Sequence, residues 1–223
     1  MISSSHEDGV VILEMDDGEN RLNGNFVEAF SAALDDVTAS DATALVCIGS
    51  GRFYSTGLDL EWLSGEGRRG AEDFVFHVQA IYARLLEFPI PTVAALNGHA
   101  FAGGAMLALA HDARLMRSDR GYFCLPEIDL ATGRPLTPGM IELIRSRLAP
   151  QVCHEAILTG RRYGGDEALS CGIVENACSA STLRDAAIRR ARGLGGHPRK
   201  NVKRIKTQLS ERVCKALRSR EHG

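Results

Sequence analysis

Hydrophobic residues at the start of the chain fall into short continuous runs separated by a longer run at helical spacing. The runs "GVVILEM" (Gly9–Met15) and "ATALVCIGS" (Ala42–Ser50) predict strands, the second of them buried. Between them, the segment from Asn23 repeats apolar residues every three or four positions, which predicts an amphipathic helix. Its apolar positions are Phe26, Ala29, Phe30, Ala33, Leu34 and Val37.

The same alternation continues further along the chain. "AEDFVFHVQAIYARLLEF" predicts a helix that ends at "PIP", "PTVAAL" predicts a third strand, and "NGHAFAGGAMLALAHD" predicts the next helix. "ARLMRSD" and "GYFCLPEI" predict short strands, whereas the polar, glycine-rich "EGRRG" predicts a mobile segment. From Thr137, a predicted N-cap before Pro138, the pattern predicts only helices. The predicted fold class is α/β with a helical C-terminal region.

Composition excludes several classes of function. Of 223 residues 44% are hydrophobic, and 26 Lys and Arg nearly balance 28 Asp and Glu. This balance argues against a nucleic-acid or membrane-surface binder, and no apolar run is long enough to span a bilayer. The cysteines form no CxxC pair, the histidines show no metal-ligand spacing, and the N-terminus lacks a signal-peptide pattern. We therefore expect reduced thiols, no metal site and a cytoplasmic location.

Two adjacent glycines, Gly103 and Gly104, precede the apolar run "AMLALA". The first N–H groups of a helix lack an intrahelical partner and carry partial positive charge. Bare backbone there could bind an anion, or a carbonyl oxygen that becomes one. Small residues also let a helix pack closely on a sheet, and two glycines alone fit that explanation better.

The segment "GRFYSTGLDLEWL" predicts a glycine-broken loop that becomes helical after a strand. Gly57 permits a sharp turn there, and Leu58 offers a backbone N–H at the start of the new helix. Ligands of α/β proteins bind beyond the carboxyl ends of such strands. An ordinary strand-to-helix turn with Asp59 as the cap explains the same residues.

The segment "LPEIDLATG" (Leu125–Gly133) places Glu127 at the end of an apolar strand. A carboxylate in an apolar cleft has a raised pKa and can act as a base near neutral pH. The alternative is a solvent-facing loop glutamate, which is the usual environment of this residue type. Asp129 would share the face of Glu127 if the strand continued.

Together these stretches resemble the crotonase family, the enoyl-CoA hydratases and isomerases. The likeness rests on "GRFYSTGLDL", "PTVAALNGHAFAGGAMLALAHD", "LPEIDLATG" and "ALSCGIVENA", in the family's order across roughly residues 9 to 210. It is strongest to the short, monofunctional Δ3,Δ2-enoyl-CoA isomerases of plants. The resemblance implies a ββα superhelix, with a crotonase core over residues 1–195 and a shortened helical tail over 196–223. It also implies a homotrimer, often paired into a hexamer.

The resemblance further implies a catalytic centre. The backbone N–H groups of Leu58 and Gly103 would form the oxyanion hole, and Glu127 would be the base. Three residues after Gly103, where the hydratases of the family carry a second glutamate, this chain has Met106. Hydration is impaired when only one carboxylate is present, whereas one carboxylate is enough for a 1,3 proton shift. The implied reaction moves a C3=C4 double bond to C2=C3 in a fatty acyl-CoA, with no cofactor because coenzyme A is part of the substrate.

Other substrate contacts are implied around this centre. Arg21 would pair with a CoA phosphate or be a solvated loop charge. The implied nucleotide contacts are Ser55, Thr56 and Gly57, with Gly104 at the helix start. The implied acyl-tail contacts, each equally suited to an ordinary core, are Trp62, Leu63, Met106 and Leu136. The basic residues of the last predicted helix form either a solvated face or CoA-phosphate contacts; they are Lys200, Lys203, Arg204 and Lys206.

Three functions remain open from the sequence. The first is the isomerase, and the second is another crotonase reaction, hydration or acyl-CoA hydrolysis by water activated at Glu127. The third is a catalytically silent CoA-binding or assembly subunit. "ATGRPL" departs from the glycine-rich continuation of the hydratases, and the shortened tail points the same way.

Overall fold

The structure, a computed structural model, describes residues 1–65, 70–130 and 136–220. The "EGRR" of the predicted mobile segment and the "ATGRP" of the divergent loop lie outside these ranges. The strands are β1 (Ile2–Glu7), β2 (Val10–Met15), β3 (Ala44–Gly49), β4 (Phe53–Ser55), β5 (Thr92–Leu96), β6 (His99–Phe101), β7 (Ala113–Arg117), β8 (Phe123–Cys124) and β9 (Asn176–Cys178). The helices are α1 (Gly24–Ala39), α2 (Leu60–Ser64), α3 (Ala71–Leu86), α4 (Gly103–Leu109), α5 (Pro138–Arg147), α6 (Pro150–Thr159), α7 (Gly165–Ser170), α8 (Ala180–Leu194) and α9 (Arg199–Leu217).

The larger sheet has the strand order β1-β2-β3-β5-β7-β9. Its first pair is antiparallel and the following pairs are parallel. Because side chains alternate along a strand, Val10 and Ile12 of β2 pack with α8, whereas Val11 and Leu13 enter the main core. Burial on both faces explains why β3 and β5 are continuous apolar runs. The α/β prediction is confirmed.

The smaller sheet is parallel, with the order β4-β6-β8. Phe53 pairs with His99, and Ala100 with Phe123. All three carboxyl ends therefore lie at one edge of this sheet. The segments that follow the three strands meet there, which sets the position of the candidate site.

Most predicted elements are confirmed, including the cap of α5, where the Thr137 side chain accepts a hydrogen bond from Met140 N–H. β1, β4, β6 and β9 were not predicted, and the segment predicted as one helix after β5 begins with β6. β4, β6 and β9 have only three residues each, too few to show a period, and their partners are distant in the chain. None of the described helices is both long and apolar enough to cross a membrane.

Helix α9 packs on α3 and α5 and adds Val213, Cys214 and Leu217 to the main core. Lys206 on this helix is only 9% exposed, so the alternative of a solvated basic face is wrong at this position. Its ammonium lies 2.6 Å from Asp112 Oδ2 and holds α9 against the turn that follows α4. Lys200, Lys203 and Arg204 are exposed, which agrees with that alternative.

The Asp112–Lys206 pair predicts unequal mutational costs. Asp112→Ala removes the partner of a buried ammonium and also the acceptor 2.7 Å from Thr92 N–H. We expect it to lower the free energy of unfolding by about 3–5 kcal/mol. Lys206→Met keeps most of the apolar stem and removes the buried charge, so its cost is smaller. Urea denaturation of both variants measures the difference, and equal losses would contradict this account.

Candidate active site

The edge of the smaller sheet brings the three candidate segments together. Leu58 follows β4, Gly103 follows β6, and Glu127 follows β8. All three residues line one pocket of about 630 Å³. The site thus lies beyond the carboxyl ends of parallel strands, where the topology of α/β proteins places ligands.

A parallel bridge between Leu22 and Leu58 leaves the Leu58 N–H available. Leu22 N–H donates to Gly57 O at 2.8 Å, and Asp59 N–H donates to Leu22 O at 3.0 Å. These bonds use the groups that flank Leu58 and turn its own N–H to the opposite side. Within the described residues, the Leu58 N–H donates no hydrogen bond.

The second available donor is the N–H of Gly103, the first residue of α4. As the first helical residue it has no intrahelical acceptor, and it donates to no other group in the described part of the chain. Gly57, at φ +86°, lies so close that a Cβ on it would be 2.6 Å from Gly103 N. Glycine at 57 therefore allows the segments that carry the two donors to approach each other.

Ala102 has a strained backbone conformation directly before Gly103. Its φ of 47° with ψ of −123° is a region that residues with a Cβ rarely occupy. Hydrogen bonds on both sides hold it there, from Ala102 N–H to Cys124 O and from Met106 N–H to Ala102 O, each 3.0 Å long. Because Ala102 and Gly103 share a peptide plane, this conformation sets the direction of the Gly103 N–H.

Glu127 begins a short 3-10 helix, Glu127–Asp129, immediately after β8 and Pro126. Its Oε2 is buried and has no hydrogen-bond partner among the described residues. Burial raises the pKa of this carboxyl to about 7, partly offset by a backbone hydrogen bond that lowers it. Glu127 can therefore take up and release a proton near neutral pH.

Asp129 does not share the position of Glu127. The strand ends before it, and the turn of 3-10 helix leaves Asp129 exposed and outside the pocket wall. Its carboxylate lies beside Gly160 instead, where a Cβ would be 2.7 Å from Asp129 Oδ2. The condition for a common face, a strand that continues through Asp129, is therefore not met.

The rest of the pocket wall is mainly apolar. Among its described residues Glu127 is the only one with an ionisable side chain. Met106, one turn into α4 and 1% exposed, lies where a second carboxylate was expected in a hydratase. The other apolar lining residues are Leu58, Leu60, Leu63, Val75, Phe101, Ala102, Pro126, Leu130, Leu136 and Met140.

Comparison with known proteins identifies the family of this chain. A family model described as enoyl-CoA hydratase/isomerase matches residues 5–222. The chain belongs to this family. The resemblance to crotonases stated from the sequence is therefore confirmed.

Two relatives of the chain differ in their named reactions. This chain is 34% identical to enoyl-CoA delta isomerase 2, peroxisomal, of Arabidopsis thaliana, over 72% of this chain and 70% of the relative. It is 37% identical to the carnitinyl-CoA dehydratase of Proteus mirabilis, over 72% of this chain and 59% of the relative. The family is thus shown, while the reaction differs among its members.

Solved structures support the same fold. A Mycobacterium tuberculosis protein described as a probable enoyl-CoA hydratase matches with a TM-score of 0.89 and 28% identity, covering 97% of this chain and 91% of that chain. A second structure, described as an apo enoyl-CoA isomerase of that bacterium, matches with a TM-score of 0.89 and 27% identity, covering 98% and 95%. The crotonase fold therefore extends over nearly the whole chain.

Not every residue expected from the family resemblance reaches the pocket. Thr56, Leu63 and Leu136 line it. Ser55 is fully buried behind the wall, where its hydroxyl donates to Asn20 O at 2.7 Å and accepts from Gly57 N–H at 3.2 Å. Gly104 packs against Ser55, since a Cβ on it would be 2.2 Å from Ser55 O. In this crotonase, Ser55 and Gly104 hold the two donor segments in place.

Trp62 and Arg21 also lie outside the pocket wall. Trp62 packs edge-on against Phe74 at 4.8 Å, and its backbone N–H donates to the side chain of Asp59, the predicted cap. Arg21 is 2.8 Å from Glu19, with Asp59 at 3.7 Å and a further carboxylate nearby. The hydrogen bond to Glu19 raises the pKa of Arg21. The charge expected to meet a phosphate is therefore paired with a carboxylate of its own chain.

Several wall residues were not found from the sequence. Leu60, Val75 and Met140 carried only a helical pattern, which does not distinguish a pocket wall from a core. Thr137 was recognised as a cap, and its hydroxyl also lies 2.6 Å from Gln79 Oε1. No local signal marked Tyr82, a fully buried residue of α3 whose hydroxyl donates to Gly103 O at 2.8 Å.

Proposed function

We propose that this chain is a Δ3,Δ2-enoyl-CoA isomerase acting on fatty acyl-CoA. The observation that carries the proposal is a single carboxyl, Glu127, with a buried and unpartnered Oε2, in a pocket whose other described wall residues have no ionisable side chain. Met106 occupies the position where a hydratase would carry a second acid. One group that alternates between base and acid is sufficient for a proton shift.

The proposed reaction uses Glu127 twice. Its carboxylate removes a proton from C2 of a 3-enoyl thioester, and the C3=C4 electrons delocalise into a dienolate. The N–H groups of Leu58 and Gly103 donate hydrogen bonds to the thioester oxygen as it gains negative charge. The protonated Glu127 then delivers its proton to C4, which yields the 2-enoyl thioester and restores the carboxylate.

Typical magnitudes require both parts of this site. A positioned general base contributes about 10²–10⁴-fold in rate, and one oxyanion donor contributes about 3–4 kcal/mol to the barrier. An α-proton of a thioester is too weakly acidic for the base alone. The apolar wall favours a hydrocarbon acyl chain and keeps water from the dienolate.

Product analysis with two substrates tests the proposal. We expect the wild-type chain to convert 3-hexenoyl-CoA to 2-hexenoyl-CoA. We expect it to hydrate 2-hexenoyl-CoA very little. Chromatography with mass detection separates the isomers from the heavier hydrate. If 3-hexenoyl-CoA stays unchanged at saturating enzyme, the isomerase assignment is wrong.

Hydration or dehydration is the second candidate, favoured by the 37% identity to a carnitinyl-CoA dehydratase. In that reaction Glu127 would activate water for addition to C3, without a carboxylate at Met106 to assist. The same assay distinguishes the two candidates. Accumulation of 3-hydroxyhexanoyl-CoA from 2-hexenoyl-CoA, faster than isomerisation, would replace the first proposal with the second.

The raised pKa of Glu127 predicts the pH dependence. The base must be ionised to remove a proton, so kcat/KM is constant above its pKa and falls below it. With a pKa of about 7, we expect about a tenfold loss for each pH unit below that value. A pH–rate profile with 3-hexenoyl-CoA measures this limb. A limb near pH 4 would identify the base as an ordinary exposed carboxyl and contradict the assignment.

A further inference from the structure

Tyr82 joins α3 to the first residue of α4. Its side chain is fully buried, and its hydroxyl donates to Gly103 O at 2.8 Å. The hydroxyl also lies 3.2 Å from the point that a Cβ on Gly103 would occupy. Tyr82 is therefore hydrogen-bonded to the Gly103 carbonyl, and its hydroxyl lies on the side of Gly103 where a side chain would begin.

The start of α4 needs such an anchor because it has no side-chain cap. Ala102, the N-cap residue, has no polar side chain, and its strained backbone would relax unless neighbouring contacts held it. The Ala102 N–H is held by Cys124 O on β8, and Gly104 is wedged against Ser55. Gly103 itself is held by the Tyr82 hydroxyl, from a helix distant in sequence.

The bond is not needed to satisfy Gly103. The carbonyl of a first helical residue already accepts a bond from the residue four positions on, so the hydroxyl is a second donor to it. Burial raises the pKa of the Tyr82 hydroxyl, and the nearby charge of Glu127 raises it further. The hydroxyl therefore stays protonated and remains a donor while Glu127 changes its charge.

We propose that Tyr82 is a positioning residue for the oxyanion hole, which it serves by fixing the orientation of Gly103 through its hydroxyl. This inference rests on the proposed role of Gly103 as an oxyanion donor. Tyr82 touches no reacting atom in this account. Loss of its hydroxyl weakens binding of an oxyanion more than binding of a neutral thioester, because hydrogen bonds to a charged oxygen are stronger and lose more when the donors are misaligned.

The test compares Tyr82→Phe with Tyr54→Phe. Both residues are fully buried tyrosines, but the Tyr54 hydroxyl has no hydrogen-bond partner among the described residues. The probes are hexanoyl-CoA, a neutral thioester, and acetoacetyl-CoA, whose bound enolate is measured by its near-ultraviolet absorbance. For Tyr82→Phe we expect about tenfold weaker binding of the enolate and less than about twofold change for hexanoyl-CoA. Tyr54→Phe should match the wild type with both probes.

Kinetics supply a second readout. In Tyr82→Phe, kcat for 3-hexenoyl-CoA should fall about tenfold while KM changes less than about twofold. An equal loss for both probes, or the same result in the two variants, would overturn the role of Tyr82. A wild type that binds both thioesters but does not isomerise 3-hexenoyl-CoA would contradict the isomerase and leave this inference testable with the probes. A wild type that binds neither overturns both.

Discussion

Glu127→Gln is expected to reduce kcat for isomerisation of 3-hexenoyl-CoA by about 10³-fold, within the range of about 10²–10⁴ for a positioned base. The amide has the shape of the carboxyl but cannot accept and return a proton. The available N–H groups of Leu58 and Gly103 remain, so KM should change little. Steady-state kinetics at pH 8, where the wild-type carboxyl is ionised, measures the loss.

The same substitution should stabilise the fold at that pH. Burial raises the Glu127 pKa from 4.5 to about 7, so the folded state binds more protons than the unfolded state between these values. Stability is therefore lost as pH rises from 4.5 to 7, by no more than about 3 kcal/mol. Glutamine has no charge to bury, and the variant should unfold at a higher denaturant concentration at pH 8. A less active yet more stable protein separates catalysis from folding.

Asp129→Asn is the matched control for Glu127→Gln. It removes a carboxylate two residues away that is exposed and lies outside the pocket wall. We expect activity within about twofold of wild type, since surface changes of this kind have small effects. Near-normal activity of Glu127→Gln, or a large loss in Asp129→Asn, would assign the base to another group.

Gly57→Ala is expected to lower kcat/KM by about 10²–10³, the effect of losing one oxyanion donor. A Cβ here would be 2.6 Å from Gly103 N and 3.0 Å from Phe101 O. Such contacts push the two donor segments apart and cover the Gly103 N–H. The left-handed backbone at φ +86° adds about 1 kcal/mol of strain for a residue with a side chain.

Gly51→Ala separates these two effects. Gly51 also has a positive φ, +60°, but a Cβ there would have no atom within 4 Å. We expect a similar backbone strain in thermal unfolding and wild-type activity. If both alanine variants lose activity equally, backbone strain rather than closure of the donor pair explains the loss, and the oxyanion-hole geometry is wrong.

Sequence periodicity found the elements whose burial pattern is local. Helix α1 has buried Phe26, Phe30 and Leu34 on one side, and β3 is apolar because both of its faces are covered. β1 has no local signal because it is an edge strand of the larger sheet, beside β2, with mostly exposed polar residues. The sequence does not reveal that Lys206 is buried and paired, because its partner, Asp112, is far away in the chain.

The amino-acid sequence by itself determined the chemistry available at each position: a glutamate at 127, a methionine at 106, and glycines at 57 and 103. These identities, with the family resemblance, were enough to name the three segments of the candidate site. They did not show whether Glu127 faced solvent or a pocket, or whether Asp129 lay beside it.

Only the tertiary structure decided how those groups are arranged in space. The parallel pairing of β4, β6 and β8 brings Leu58, Gly103 and Glu127 to one pocket. The bridge to Leu22 leaves the Leu58 N–H available, and burial raises the Glu127 pKa to about 7. The physical reason is the distance along the chain between a residue and the groups that determine its properties. A residue's chemical identity is local, whereas its burial, pKa and free hydrogen-bonding groups depend on neighbours that folding brings from distant parts of the chain.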